Sequence, residues 1–274
     1  MQPISLTAQW TAAIRALETE RSANRLFVDE LARDLAKPDG FSLIDRYSGS
    51  GVQEFVIIRT RFFDDAILNI LQASEQVRQV VFVAAGMDTR AIRLAWPRGV
   101  LIYEVDQQDL LSEKSARFSA LGVSLPACRI EVGADLASDW MTKLQSAGFN
   151  PDVPTLWVAE GLMFFLTPEQ ARMLLSTCRQ VSASGSWLVV DMTSQSLLKS
   201  PASQRFLSVL RRDGVPWQFG TNEPEVFLSE QGWDVTDLKE PGQVAAARGR
   251  WPYEVYPRDM KGVSRSWLII AKAS

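Results

Sequence analysis

The sequence predicts an α/β fold: a doubly wound, mostly parallel sheet with an antiparallel strand at its C-terminal edge and a helical cover at its N-terminus. Three observations predict it. From residue 77 onward, short apolar runs alternate with helical stretches. Those runs are near-continuous rather than alternating, as strands buried on both faces require. Residues 1–75, by contrast, read mostly as helices.

The elements follow in order. Trp10, Ala13, Ile14 and Leu17 have the spacing of an amphipathic helix. Residues 16–36 continue helical spacing, with Leu26, Phe27, Leu31 and Leu35 on one side. Residues 37–43 (KPDGFSL) read as a loop, and 52–74 as a long helix with Phe55, Ile58, Phe62, Phe63, Ile67 and Ile70 inward. Strands are predicted over 80–85, 100–106, 129–135, 155–161 and 186–192, and helices over 107–120, 137–147 and 168–183. A helix over 201–212 and an aromatic, Pro/Gly-rich loop over 213–224 come next. Strands over 232–238 and 264–272 close the chain around an irregular, aromatic segment, and they predict an antiparallel pair at one sheet edge. The chain is read as one domain, 1–274, with a helical cover (1–75) and an α/β core (76–274) carrying an insertion at 239–263.

Bulk properties narrow the function. A net charge of −3 argues against a nucleic-acid partner. No apolar run reaches the ~20 residues of a membrane span. The N-terminus lacks the pattern of a secretory signal, so Cys128 and Cys178 are expected to be reduced thiols in a cytoplasmic protein. The chain contains no histidine. That removes the commonest general base and the commonest metal ligand, and no metal site is expected. Oligomeric state is left open.

The stretch VVFVAAGMDTR (80–90) ends a buried strand in small residues and then turns polar. Acids stand at or beside the neighbouring strand ends: Glu104 and Asp106, Asp135, Glu160 and Asp191. Asp106, about 20 residues past the loop, is placed to grip a ribose diol. Asp135 and Asp191 have capping of nearby backbone N–H groups as an alternative role. A dinucleotide wants GxGxxG, whereas this loop has one glycine and an acid, Asp88, where pyrophosphate would lie. A ribose-bearing cation without phosphate fits better, and S-adenosylmethionine is such a ligand. Asp88 has a second reading as the N-cap of a helix over 90–95.

VVFVAAGMDTRAIRL followed by LIYEVDQQDLLSEK resembles the leucine carboxyl methyltransferase family, whose usual loop is GAG[LM]DTRAxRL and whose second strand ends in EVD. The segments at 16–32, 57–67 and 154–169, then GSWLVVDM, FGTNEPEVFLSEQGW and AARGR, extend the resemblance over most of the chain, chiefly toward the bacterial small-molecule branch. The resemblance implies a class I methyltransferase-like sheet and S-adenosylmethionine as cofactor. It implies that Arg59 binds the cofactor carboxylate, with Arg21 a weaker second contact. Ala84 and Gly86 would lie against the methionine part, and Asp106 would hold the ribose. Asp135 and Leu136 would bracket the adenine. Glu160, the catalytic candidate, would face the ammonium or line the methyl-transfer channel. Arg61 is read as structural. Ala84 stands where the family has glycine, and Glu30 where it often has proline. A negative φ at Ala84 would make that exchange cheap.

Methyl transfer from a sulfonium is an in-line displacement, so the protein mainly positions and shields. A carboxylate acceptor is ionised at pH 7 and needs no base, which suits a chain without histidine. A hydroxyl acceptor, as in secondary metabolism, would want one, with Glu160, Asp191 or a tyrosine as candidates. A third reading is a cofactor-binding protein without turnover. The acceptor is expected to be a small molecule with an aromatic or polyketide body. Its pocket is expected from the N-terminal helices and the 213–262 region. Trp217, Phe219, Trp251, Tyr253 and Tyr256 are candidate walls, and Arg248, Arg250 and Arg258 candidate anchors for an acid.

Overall fold

The computed structural model describes residues 3–49 and 51–274. The helical cover comprises α1 (Pro3–Thr19), α2 (Ala32–Arg46) and α3 (Val52–Ala73). Strand and helix then alternate: β1 (Gln79–Val83), α4 (Arg90–Arg93), β2 (Leu101–Asp106), α5 (Gln108–Ala120), β3 (Arg129–Gly133), α6 (Trp140–Ser146), β4 (Thr155–Ala159), α7 (Pro168–Gln180) and β5 (Trp187–Thr193). Helices α8 (Gln195–Lys199), α9 (Pro201–Arg212) and α10 (Pro224–Ser229) lead to β6 (Trp233–Lys239) and β7 (Ser266–Ala273).

The seven strands form one sheet in the order β3-β2-β1-β4-β5-β7-β6. The first five run parallel, and β7 pairs antiparallel with both β5 and β6. Every residue of β1 is buried. Val81 and Val83 join the core on one face, Val80 and Phe82 the core on the other. That two-sided burial is why the strand reads as an unbroken apolar run. The strand order reverses between β1 and β4, and the crevice beyond their C-terminal ends is where open α/β sheets take ligands.

Three expectations need correction. The helix expected over 16–36 stops at Thr19 and resumes at Ala32. Side chains compete for the backbone in between: Glu18 accepts the Leu26 N–H at 2.6 Å and the Thr19 hydroxyl accepts the Asp29 N–H at 2.9 Å. The loop expected over 37–43 is helical, because α2 crosses a kink at Lys37 (φ 56°). Pro38 then opens a second helical segment, where its missing N–H costs nothing. Strands β1, β3 and β4 each end two residues before their expected limits, which releases Ala84, Asp135 and Glu160 into loops.

Candidate active site

A cavity of about 830 Å³ lies beyond the ends of β1, β2 and β4. Helices α1, α3, α6, α7 and α9 supply other walls. Among the described residues, no helix is long and apolar enough to cross a membrane.

The loop after β1 forms the floor. Ala84 has φ +58°, not the negative value expected of a strand end. The chain must turn here so that the Ala85 N–H reaches Val105 O (3.1 Å) and the Asp88 N–H reaches Ala85 O (2.9 Å). A left-handed alanine costs roughly 1–2 kcal/mol. The exchange for glycine is therefore not cheap, and the loop carries strain at this point. Gly86 is also left-handed, at φ +49°, and an added Cβ would stand 3.3 Å from the Ala8 Cβ of α1. Glycine keeps the floor open there.

Asp106 ends β2 and faces this loop. Its Oδ2 accepts the Gly86 N–H and its Oδ1 the Gln107 N–H, both at 2.7 Å. A carboxylate has about four acceptor sites, so two remain for a ligand. Burial pushes its carboxyl above the usual range, although the two N–H donors oppose this. Asp135 and Leu136 line the cavity where it meets solvent, and Asp135 Oδ1 accepts the Ala137 N–H at 2.9 Å.

Asp88 accepts the Arg90 N–H at 2.6 Å and pairs with the Arg90 guanidinium. It thus braces a helix start, but of the single turn Arg90–Arg93 rather than the expected 90–95. Burial would raise its carboxyl; the charges of Arg90, Arg15, Lys114 and Arg93 outweigh this and hold it at about 2. Arg90 compensates the charge of Asp88. The lone glycine of the loop, rather than this acid, is what speaks against a pyrophosphate.

Arg59 on α3 is buried and lines the cavity. Its Nε donates to Glu160 Oε1 (2.9 Å) and its Nη1 to Asp191 Oδ2 (3.0 Å). Burial disfavours its charge, yet Asp191 and Glu160 more than restore it. Asp191 also accepts the Gly161 N–H at 2.6 Å, and burial pushes its carboxyl up against the pull of Arg59. Gly161 is left-handed (φ +69°), and an added Cβ would stand 3.1 Å from both terminal nitrogens of Arg59. A glycine there leaves room for the guanidinium. The other oxygen of Glu160 lies 2.6 Å from Arg90 Nη1. Two guanidiniums therefore hold Glu160 from both sides.

Arg15 and Arg90 line the cavity and were missed from sequence. Arg15 donates to Asp29 (2.9 Å) and to Met87 O (2.6 Å), tying α1 to the loop after β1. Arg90 reaches Asp64 (2.6 Å) and Thr60 O (3.2 Å) on α3. Arg15 had one signal: it interrupts the inward face of α1 between Ile14 and Ala16. Arg21 is exposed, 3.8 Å from Glu18, and is not brought to the cavity. Arg61 pairs with Asp65 (2.9 Å) and Leu26 O (2.8 Å).

Of the expected acceptor walls, Trp217 lines the cavity and the others do not. Phe219 is core, packed on Phe227 at 4.7 Å between ring centres. Trp251 and Tyr253 pack on each other at 5.2 Å, beside Gly51. Arg250 pairs with the buried Glu18 of α1. Arg258 lies 4.2 Å above the Trp267 ring, Arg248 is exposed, and Tyr256 is exposed with its carbonyl bonded to Arg265 (3.1 Å). The insertion packs by Val244 and Ala247 into the core shared with α3, which turns its aromatics away from the strand ends.

A family model described as leucine carboxyl methyltransferase matches residues 8–179. A protein of Mycobacterium avium (strain 104), provisionally named an S-adenosyl-L-methionine-dependent methyltransferase, is 38% identical, with 86% of this chain and 85% of that protein covered. A similarly named protein of Parafrankia sp. is 37% identical over 84% of this chain and 76% of its own. Among solved structures, a provisionally named methyltransferase from Thermobifida fusca YX superposes with a TM-score of 0.63 at 15% identity, covering 97% and 94% of the two chains. The magnesium protoporphyrin IX methyltransferase of Synechocystis PCC 6803, solved with bound SAH, superposes with a TM-score of 0.51 at 16% identity, covering 89% and 98%.

Proposed function

The chain belongs to the leucine carboxyl methyltransferase family, and from that premise we propose that its acceptor is the carboxylate of a small molecule. It is a methyltransferase with the class I fold, and its cofactor is S-adenosylmethionine. Walls from α1 and α3 meet the strand ends around one cavity, which supports reading 1–274 as one domain.

The residues present fit this cofactor. Asp106 keeps two acceptor sites for the ribose hydroxyls. Arg59 Nη2 makes no hydrogen bond among the described residues, and it is the group to meet the cofactor's carboxylate. Gly86 and Ala84 present backbone to the methionine part, and Asp135 and Leu136 bracket the adenine at the mouth. Glu160 faces the ammonium or the transfer channel. Its Oε1 accepts from Arg59 and its Oε2 lies in an ion pair with Arg90, so it orients charge in the site. When bound, the cofactor supplies an electrophilic methyl group on a sulfonium. The chain's part is to align the two reactants and keep water away.

One observation carries the carboxylate reading. Among the described residues, the cavity lining holds no lysine, tyrosine or cysteine, in a chain without histidine. A hydroxyl acceptor would have to draw its base from the lining carboxylates, of which Asp88 and Glu160 are paired with arginines, whereas a carboxylate acceptor needs none. The test is a methyl-transfer screen of acidic and phenolic metabolites, read by mass spectrometry before and after mild base. A base-labile methyl ester supports the proposal; a base-stable ether rejects it.

A further inference from the structure

We infer that Trp217 sets acceptor selectivity, and that the acceptor is a ring carboxylic acid: a flat, otherwise uncharged aromatic body with an oxygen substituent. This rests on the carboxylate reading above for the reacting group alone.

Helix α3 borders the cavity with one continuous face. Val52, Phe55, Val56 and Arg59 all line it, at positions i, i+3, i+4 and i+7 of one helix face. The guanidinium of Arg59 lies 5.4 Å from the Phe55 ring centre, so charge gives way to apolar surface within one turn. From Arg59 to Val52 the stripe runs about 10 Å. Val52 and Val56 belong to one apolar cluster with Trp10 and Leu210, and Trp217 and Phe165 pack against it. These six side chains are neutral. The arginines that line the cavity, Arg15, Arg59 and Arg90, are each bonded to carboxylates. Of the expected anchors Arg248, Arg250 and Arg258, the first is exposed and the other two are spent on Glu18 and Glu225 elsewhere. An acceptor with a second charge along its body would thus lose water at the far end without gaining a counter-charge.

Trp217 is held rigidly. Its ring centre lies 4.2 Å from that of Phe164, tilted by 33°, and 5.2 Å from Phe206, edge-on. The next residue bonds to the same wall: Gln218 N–H to Phe164 O (2.6 Å) and Gln218 Nε2 to Phe165 O (2.8 Å). A fixed, half-buried indole is a preorganised surface for a flat ring, which aromatic side chains stack against or meet edge-on. Its Nε1–H donates to no group among the described residues, and unlike the indole N–H of Trp10 it is not sealed from solvent. That donor suits an oxygen on the acceptor ring.

The experiment is calorimetry on the full chain loaded with S-adenosylhomocysteine, with 2-naphthoate, 3-hydroxy-2-naphthoate, glutarate and a short peptide ending in leucine as probes. The naphthoates are expected to bind at least about tenfold more tightly than glutarate or the peptide. Trp217→Ala is expected to weaken both naphthoates about tenfold and leave S-adenosylhomocysteine affinity within about twofold. Trp217→Phe keeps the ring and removes the donor, so it should spare 2-naphthoate and weaken only the hydroxylated probe. Tighter binding of glutarate or of the peptide overturns the inference, as does naphthoate binding indifferent to both substitutions. Incubation with S-adenosylmethionine separates the two claims. A base-stable ether on 3-hydroxy-2-naphthoate rejects the carboxylate reading while the stacking site stands. A base-labile ester on glutarate in preference to the naphthoates does the reverse.

Discussion

Arg59 and Asp191 meet across the protein interior: Nη1 of one, on α3, lies 3.0 Å from Oδ2 of the other, on β5, and both side chains are buried. The pair ties the helical cover to the sheet directly beneath the cavity. Removing Asp191 leaves Arg59 buried with Glu160 as its remaining counter-charge and orphans the Gly161 N–H, two losses that together cost about 3–5 kcal/mol. Asp191→Ala, which also strips the acceptor from the Gly161 N–H, is expected to destabilise the fold by about that amount in urea denaturation. Asp191→Asn, which can keep the Gly161 bond, should fall between. A loss under about 1 kcal/mol for the alanine variant would contradict the pairing.

Asp106→Ala should weaken S-adenosylmethionine binding strongly. Hydrogen bonds to a charged group contribute about 1.5–3 kcal/mol each, so losing two predicts a drop of at least a hundredfold. Isothermal calorimetry measures it, and unchanged affinity would exclude the ribose role.

Asp88 makes stability fall in acid. Its carboxyl is held at about 2 in the fold against 3.8 without the fold's charges. A depressed carboxyl stabilises above the unfolded value and loses that contribution as pH falls through the folded one. Here the window runs from about pH 4 down to about pH 2, and the shift corresponds to about 2 kcal/mol. Asp88→Asn should start less stable at neutral pH and lose less across that window. Denaturation of both proteins at several pH values gives the difference directly, and parallel curves would rule the effect out.

Ala84→Gly should stabilise the protein. Glycine removes the left-handed strain but loosens the unfolded chain, leaving a net gain of about 0.5–1 kcal/mol. A higher melting temperature is the expected result. A lower one would mean that the methyl group packs well enough to outweigh its backbone.

Much of this was legible in the chain. Val80 to Val83 announced a two-sided strand because burial on both faces leaves no polar position. Asp106 and Glu160 stood out because a carboxylate closing an apolar run must find partners at the sheet's rim. Arg90 is not legible as a site residue, because two of its three acidic partners, Asp64 and Glu160, are distant in sequence and near only in the fold. Pro38 misled because proline breaks a helix interior yet opens a helix well, and only the kink at Lys37 tells which. Phe219 and Trp251 pack away from the cavity, because composition marks a ring as buried but not which side it faces.

The position of β7 bears on how the molecule is made. Residues 266–273 are inserted between β5 and β6, so the earlier β6 has no neighbour until they emerge. A nascent chain can assemble the parallel strands during synthesis, but Trp233 to Lys239 must wait with their ladder bonds unmet. Any state in which residues 266–273 are detached therefore leaves that edge unpaired, and aggregation is expected to begin there.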